Sequence, residues 1–244
     1  MHSNKQPIGT GGLRRFRLLF FAAGLNAALA ATLVDEFKAS TVFWQQLEIA
    51  KKIVQARDTG VLPQLSSYLT HEDRHIRGNA AFVFAGLGDP RGLPIITAIL
   101  SDRSERPEGQ GIGAAPSTGR PSVQQQINAD RYYAVHLLGQ LKDPKAVPVL
   151  LPLFNDPEVN YNVAWALGEI GGQPAIQALI EALRNPSSDV RVIAIQSLQK
   201  LNAREALPAL RLLLNHHEKN HFGTPTSVSE AAQAAITAIE PRRN

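Results

Sequence analysis

The sequence predicts an all-α fold, an α-solenoid (superhelix) of stacked antiparallel helix pairs. A segment recurs about every 30 residues, its apolar residues follow helical spacing, and no stretch alternates apolar and polar residues long enough for a sheet. Four copies align without gaps at offsets of 54, 29 and 31 residues. They are AAFVFAGLGDPRGLPII (Ala80–Ile96), AVHLLGQLKDPKAVPVL (Ala134–Leu150), VAWALGEIGGQPAIQAL (Val163–Leu179) and AIQSLQKLNAREALPAL (Ala194–Leu210). Units of this size cannot bury their apolar faces alone, so they must stack.

Each unit is predicted to contain one helix, a tight turn and a second helix. The turn is marked by Gly-Asp-Pro at 88–90, Lys-Asp-Pro at 142–144 and Gly-Gly at 171–172, residues that end a helix and redirect the chain. A proline recurs near the start of the second helix, where its missing N–H costs no intrahelical bond. We therefore expect five helix pairs and one closing helix. The expected ranges are Thr41–Leu69, His71–Leu100, Ile127–Phe154, Pro157–Leu183, Ser188–Leu214 and Ser227–Ile239.

The first 40 residues have a different pattern. Four basic residues precede Leu18–Val34, a stretch of seventeen residues in which Asn26 is the only strongly polar side chain, and Ala28-Leu29-Ala30 resembles a cleavage site. This pattern predicts a signal peptide at residues 1–30, cleaved near Ala30, and a periplasmic or secreted protein. An uncleaved membrane tether through residues 18–34 and an ordinary first helix are the alternatives. If these residues form a signal peptide or a membrane tether, residues 18–34 should make few contacts with the stack.

The charge of the chain argues against nucleic-acid binding. The full sequence has 25 basic and 21 acidic side chains, but residues 1–30 carry four basic and no acidic ones. The remaining chain therefore balances at 21 of each sign, and the sequence pI near 9.5 depends on the N-terminal segment. A nucleic-acid binder should carry its basic excess on the folded domain. There are no cysteines, which excludes disulfides and thiolate sites.

Two features interrupt the regular stack. Residues 101–126 are rich in Gly, Pro, Ser and Gln, and we expect a flexible insertion, with a partner-contacting loop as the alternative. Pro152 lies four residues after Pro148 in the second helix of its unit. A proline at that depth removes a backbone hydrogen bond, so this helix should kink or end early.

The repeat unit resembles a HEAT repeat, and more narrowly the short HEAT-like repeats of phycobilisome lyases. The resemblance depends on Asp189-Val190-Arg191 at the start of a helix and on small residues in the middle of that helix. It also depends on Leu-Gly, followed by Gly or Asp-Pro, at the end of the helix. Arg77, Arg131 and Arg191 share one repeat position, whereas Asn160 stands there in the third copy. The resemblance covers about residues 41–240. It implies the architecture and leaves the activity open.

An aromatic cluster is the best candidate site. Tyr132 and His136 align at an offset of 29 with Tyr161 and Trp165, and each pair is spaced four residues apart on its predicted helix. The four side chains are therefore expected to meet across neighbouring units. They are either packing between repeats or an anchor for a protein partner, and full burial of Tyr132, Tyr161 and Trp165 would exclude the second role.

The sequence offers little evidence for catalysis or metal binding. His217 and His221 would share a helix face, but the break at 223–226 indicates that a loop holds His216, His217 and His221. A zinc site needs three or four converging ligands. Carboxylates are scattered and no serine lies in a nucleophile elbow, so we predict no catalytic, cofactor or metal residues.

We expect the HEAT-like domain at residues 41–240 to be a protein-interaction scaffold, exported or membrane-anchored, with no catalytic activity and no nucleic-acid partner. The alternative is a lyase-like or chaperone-like factor that holds a chromophore or a client protein, because the lyases that the repeat resembles attach chromophores. A deep pocket with converging polar groups favours the alternative, and a shallow continuous groove favours the scaffold.

Overall fold

The computed structural model describes residues 29–106, 122–221 and 225–240. Helices and 3₁₀ turns account for most of these residues, and their only extended pairing is an isolated bridge between Lys219 and Ser227. The all-α prediction is therefore confirmed. The helices are α1 (29–39), α2 (Phe43–Ala56), α3 (Leu62–Leu65), α4 (Arg74–Gly86), α5 (Gly92–Ser101), α6 (Val123–Leu141), α7 (Val147–Leu150), α8 (Asn160–Ile170), α9 (Gly172–Ala182), α10 (Ser188–Lys200), α11 (Leu207–Arg211) and α12 (Val228–Ile239).

The helices form the two layers of an α-solenoid. The even-numbered helices α2, α4, α6, α8, α10 and α12 pack side by side in chain order, and the shorter second segments pack against them. Helix α4 ends before Gly88, which has a φ of +84°, and α5 begins only at Gly92. The five helix pairs and the closing helix are thus present as the repeat predicts.

The matched apolar positions of the repeat form the core. The recurring large side chain of the first helices is fully buried in all four copies: Phe84, Leu138, Leu167 and Leu198. Glycines allow neighbouring helices to approach closely. A Cβ on Gly168 of α8 would lie 2.4 Å from Ser197 Oγ of α10, so no larger residue fits there without a shift.

The prediction for Pro152 is also confirmed. Helix α7 ends at Leu150, and the chain continues as a 3₁₀ turn over Leu151–Asn155. Pro152 has no N–H to donate to an α-helical turn, which fits this early end. Helix α3 nevertheless ends at Leu65 in the same way and continues as a 3₁₀ turn over Ser66–Thr70 that contains no proline.

The repeated arginines close the loops that precede the first helices. Arg77 donates to the carbonyl of His71, and Arg191 donates to the carbonyls of Asn185 and Pro186. Arg131 instead pairs with the Asp156 carboxylate, which lies just before α8, the first helix of the next unit. The shared position therefore has a structural role in each of its three arginine copies.

The N-terminal predictions are partly corrected. In α1, Ala30, Leu33, Val34 and Phe37 are buried in the core. The expectation that residues 18–34 contact the stack little is therefore wrong for residues 29–34, and a membrane tether through 18–34 is not supported. Within the described residues no helix is long and apolar enough to span a bilayer. The predicted signal peptide lies almost wholly outside the described residues and stays a prediction.

Candidate functional site

The four aromatic residues singled out in the sequence meet across α6 and α8. The rings of His136 and Trp165 are stacked, with centroids 4.8 Å apart and planes at 5°. The rings of Tyr132 and Tyr161 lie 6.0 Å apart at a tilted angle. Tyr132 is 40% exposed, and the other three side chains are partly exposed. The condition that would have excluded a binding role is not met, and the role itself stays a prediction.

This cluster borders a pocket that the sequence analysis missed. The pocket encloses about 400 Å³, and we call it the aromatic pocket. Its lining residues are Phe43, Trp44, His75, Ala129, Tyr132, Tyr133 and His136. They come from α2, α4 and α6, so only the stacking of three helices assembles the pocket. Tyr161 and Trp165 lie beside the pocket, against Tyr132 and His136 respectively.

Ring contacts order the pocket wall. The imidazole of His75 lies parallel to Phe43, with centroids 4.1 Å apart and planes at 13°, and it meets the edge of Tyr133 at 4.8 Å and 88°. Trp44 packs edge-on against Phe43 at 4.8 Å and is 52% exposed, so it forms the outer rim. Edge-to-face and offset contacts of this kind are favourable and fix the ring positions.

A chain of buried hydrogen bonds holds the helices behind this wall. The Tyr133 hydroxyl donates to Asn79 Oδ1, and Asn79 Nδ2 donates to Gln46 Oε1 at 3.0 Å. Gln46 Nε2 in turn donates to the Phe37 carbonyl at 3.1 Å. Burial raises the pKa of Tyr133, so its hydroxyl stays protonated and acts as a donor. The chain links α6, α4, α2 and α1, and it makes α1 part of the site's support.

A buried ionic cluster lies next to His75. Asp130 of α6 is 1% exposed and accepts hydrogen bonds from two buried arginines, Arg74 at 2.7 Å and Arg106 through its Nε at 3.1 Å. Arg74 also pairs with Asp102 at 2.8 Å, so the four charges balance. Burying charges costs solvation energy, which only such close pairing and hydrogen bonding offset.

The same cluster corrects the boundaries of the insertion. Residues 101–126 were expected to be flexible, but Ser101 ends α5 and Ser122 caps α6 with a capping box. Residues 102–106 are held by the ionic cluster, where Arg106 is buried and its backbone N–H donates to Gln126. The remaining expectation, for residues 107–121, lies outside the described residues. The Gly- and Pro-rich composition of residues 101–126 gave no indication that residues 102–106 and 122–126 are held in place by hydrogen bonds.

The histidines near the C-terminus do not share a helix. Helix α11 ends at Arg211, and His216, His217 and His221 follow it in a loop, as the sequence predicts. His221 Nδ1 lies 3.0 Å from Asp189 Oδ2, and His217 contacts Ser229. These contacts fix the loop to the stack.

The charge state of His75 follows from its surroundings. Burial lowers the pKa of His75 to about 4, and the neighbouring Arg106 acts in the same direction. The imidazole is therefore neutral at physiological pH. The aromatic pocket thus presents neutral rings and two buried polar side chains, His75 and Tyr133, and it suits a flat, conjugated and largely apolar ligand.

Comparison with known families confirms the resemblance to HEAT repeats. Residues 128–198 match the family described as HEAT repeats. Residues 76–102 and 190–216 match the family described as PBS lyase HEAT-like repeat. The matched residues are therefore HEAT-like repeats, two of them of the phycobilisome lyase type.

Several curated proteins are similar to part of the chain. It is 38% identical over 143 residues to the phycocyanobilin lyase subunit alpha of Picosynechococcus sp., covering 48% of this chain and 53% of that protein. It is 33% identical over 122 residues to the protein of the same name from Nostoc sp., covering 46% of this chain and 44% of that protein. The chain thus spans about half the length of these relatives.

Solved structures show a more distant likeness. The complex of CpcE and CpcF of phycocyanin lyase from Nostoc sp. PCC7120 aligns over 98% of this chain and 97% of the solved chain, at 18% identity and a TM-score of 0.40. Human deoxyhypusine hydroxylase aligns over 96% of this chain and 91% of that chain, at 20% identity and a TM-score of 0.40.

The curated relatives overturn one expectation from the sequence. They are named as lyase subunits, so the expectation of a scaffold with no catalytic activity is wrong. The narrower resemblance to phycobilisome lyases was compatible with this class of protein, but repeat residues specify stacking and carry no chemistry of their own. The alternative, a lyase-like factor that holds a chromophore, has the better support.

Proposed function

We propose that this chain is a lyase-type subunit that holds the chromophore phycocyanobilin in the aromatic pocket and presents it to a protein. The pocket is the observation that carries the proposal. Its walls are aromatic rings, its volume is about 400 Å³, and its buried polar groups are few. The relatives named phycocyanobilin lyase subunit alpha supply the chemical class of the ligand.

The chemistry of the pocket fits such a ligand. Phycocyanobilin is an open-chain tetrapyrrole, a flat conjugated molecule whose π-faces stack well on aromatic side chains. Pockets of about 300–1,000 Å³ with apolar walls and a few placed polar groups are typical of small-molecule sites. Trp44 and Tyr132 lie at the exposed part of the lining, where a long ligand can extend beyond the pocket.

The holding is proposed to be non-covalent. The sequence has no cysteine, so the chain has no thiol to which a chromophore can be attached. The chain would act by fixing the conformation and orientation of the chromophore before it reaches its acceptor, which is a contribution of proximity.

A second protein subunit is proposed as a partner. The relatives are named as subunits, and the Tyr161–Trp165 side of the aromatic cluster stays partly exposed beside the pocket. Aromatic side chains at such positions are favoured anchors in protein interfaces.

Titration with phycocyanobilin tests the proposal. Bound chromophore should acquire a circular-dichroism signal in its visible absorption band, because a chiral pocket fixes its twist. We expect Trp44→Ala to weaken binding about tenfold or more, a loss of roughly 1.4 kcal/mol, since Trp44 forms the rim of the pocket. Leu212→Ala is the control, because Leu212 is 75% exposed on the distant C-terminal repeat. Absence of an induced signal with the unaltered protein would overturn the proposal.

A further inference from the structure

His75 has an unusual hydrogen-bonding state for a buried residue. It is 4% exposed, lines the aromatic pocket and lies between Phe43 and Tyr133. Arg106 Nη2 lies 3.2 Å from His75 Nε2, and a guanidinium carries donors only. His75 Nε2 must therefore be the acceptor. Asp130 Oδ1 lies 3.6 Å from the same nitrogen, which is too long for a hydrogen bond.

The tautomer of the imidazole follows from this contact. A neutral imidazole carries one proton, and because Nε2 accepts a hydrogen bond, the proton lies on Nδ1. Asp73 Oδ1 is 3.9 Å from Nδ1 and already accepts the backbone N–H groups of His75 and Ile76, at 2.8 and 3.3 Å. Among the described residues, no acceptor lies within hydrogen-bonding distance of the His75 Nδ1–H. Nδ1 is not one of the buried side-chain atoms that lack a partner, so water or a ligand can reach this donor and satisfy it.

We propose that His75, held by Arg106 with its proton on Nδ1, donates a hydrogen bond to an oxygen atom of the ligand in the aromatic pocket. This inference rests on the proposed function and adds to it the group that orients the chromophore. The apolar walls bind a conjugated ligand in any in-plane orientation, whereas one fixed donor selects the orientation that brings a carbonyl or carboxylate oxygen to it. Arg106 acts as a positioning residue, because its hydrogen bond sets the tautomer.

The arrangement also explains the anchoring of residues 102–106. Arg106 lies at the end of this short segment, and Asp130 and Gln126 hold it against α6. Asp130 thus fixes Arg106 and Arg106 fixes the imidazole, which in the proposed arrangement directs its Nδ1–H into the pocket. The ionic cluster would in this way hold the His75 donor in a fixed position relative to the ligand.

Nitrogen-15 NMR of the histidine-labelled full chain tests the tautomer and the hydrogen bond directly. Without ligand, the His75 signals should show a protonated Nδ1 and an unprotonated Nε2. On addition of phycocyanobilin, the Nδ1 signal should move in the direction of a stronger hydrogen bond. A protonated Nε2, or an Nδ1 signal that does not move when phycocyanobilin binds, would overturn the inference. A merely structural role for His75 would leave the Nδ1 signal unchanged.

Binding measurements give a second test. His75→Phe keeps an aromatic ring against Phe43 but removes the donor, and we expect it to weaken phycocyanobilin binding about tenfold. His136→Phe is the matched control, because it makes the same exchange elsewhere in the pocket lining, and its effect should be clearly smaller. Folding of both variants is checked by far-ultraviolet circular dichroism, and the NMR experiment decides if His75→Phe fails to fold.

The outcomes separate this inference from the proposed function. If the unaltered protein does not bind phycocyanobilin, the proposed function fails. If the unaltered protein and His75→Phe bind it equally well, only this inference fails. Phycocyanobilin dimethyl ester distinguishes the acceptor: an unchanged His75→Phe effect with the ester indicates a ring carbonyl, and a lost effect indicates a propionate carboxylate.

Discussion

The imidazole of His136 and the indole of Trp165 lie parallel, with ring centroids 4.8 Å apart and planes at 5°. His136 lines the aromatic pocket, whereas Trp165 belongs to the next repeat and lies outside the lining. This stacked pair therefore joins the pocket to the neighbouring surface of α8. It provides a physical contact between the proposed chromophore site and the proposed partner surface.

Trp165→Ala should weaken binding of the second subunit by roughly 2 kcal/mol, about 30-fold, as is typical of an aromatic anchor in an interface. Some loss of stability is expected too, because Trp165 also packs against the position of Gly139. Isothermal titration calorimetry with a subunit co-purified from the native host measures the change. Leu212→Ala should have little effect, and equal losses for the two variants would contradict the assignment of partner contact to the middle repeats.

Asp130→Asn should destabilise the fold by about 3–5 kcal/mol, because it leaves the buried Arg74 and Arg106 without their shared counter-charge. Glu48→Gln is the matched control, since it removes a carboxylate from the exposed Glu48–Lys51 pair and should change stability by less than about 1 kcal/mol. Urea denaturation monitored by circular dichroism measures both. Similar shifts of the two unfolding midpoints would show that the ionic cluster does not support the fold.

The stability of the protein should fall on acidification through His75. Its pKa is lowered from 6.5 to about 4 in the folded protein, chiefly by burial and secondly by Arg106, while Asp130 and Asp73 oppose the shift and Arg74 adds to it. Between pH 6.5 and about pH 4 the unfolded chain binds a proton that the folded protein does not, so the free energy of unfolding decreases as pH falls. From pH 7 to pH 5 this group should cost about 2 kcal/mol.

His75→Phe should remove that contribution, so the variant should lose about 2 kcal/mol less than the unaltered protein between pH 7 and pH 5. Chemical denaturation at both pH values gives the two differences. The difference between the two proteins reports the contribution of His75. Equal pH dependence of the two proteins would show that His75 is not held neutral by its surroundings.

The N-terminal segment gives a further prediction. Relative to the chain truncated before residue 29, truncation before residue 40 should lower stability strongly, because it removes the buried Val34 and Phe37. Thermal unfolding compares the two truncated chains. Export with cleavage near Ala30 remains a proposal, and mass spectrometry of the protein from its native host tests it. An intact Met1 would exclude cleavage.

The sequence by itself determined the all-α solenoid, the helix pairs and their breaks, because each depends on local patterns: helical apolar spacing, a period near 30 residues, and Gly or Pro at the turns. It also located the contacts of Tyr132 with Tyr161 and of His136 with Trp165, since equivalent positions on adjacent repeats lie side by side. The early end of α7 was also predicted, from Pro152, which cannot donate a backbone hydrogen bond, although α3 ends equally early with no proline in the turn that follows it.

Only the tertiary structure decided where a pocket forms and which groups face it. Phe43 and Trp44 reach the pocket from α2 and Tyr133 from α6, about 90 residues later, and Arg74 pairs with Asp130 across 56 residues. The burial of α1 could not be predicted either, because its apolar composition also fits a signal peptide. A repeat period predicts which helix faces pack together. A pocket and a buried charge cluster depend instead on the particular side chains that meet between three helices, and these contacts cannot be predicted from a local sequence pattern.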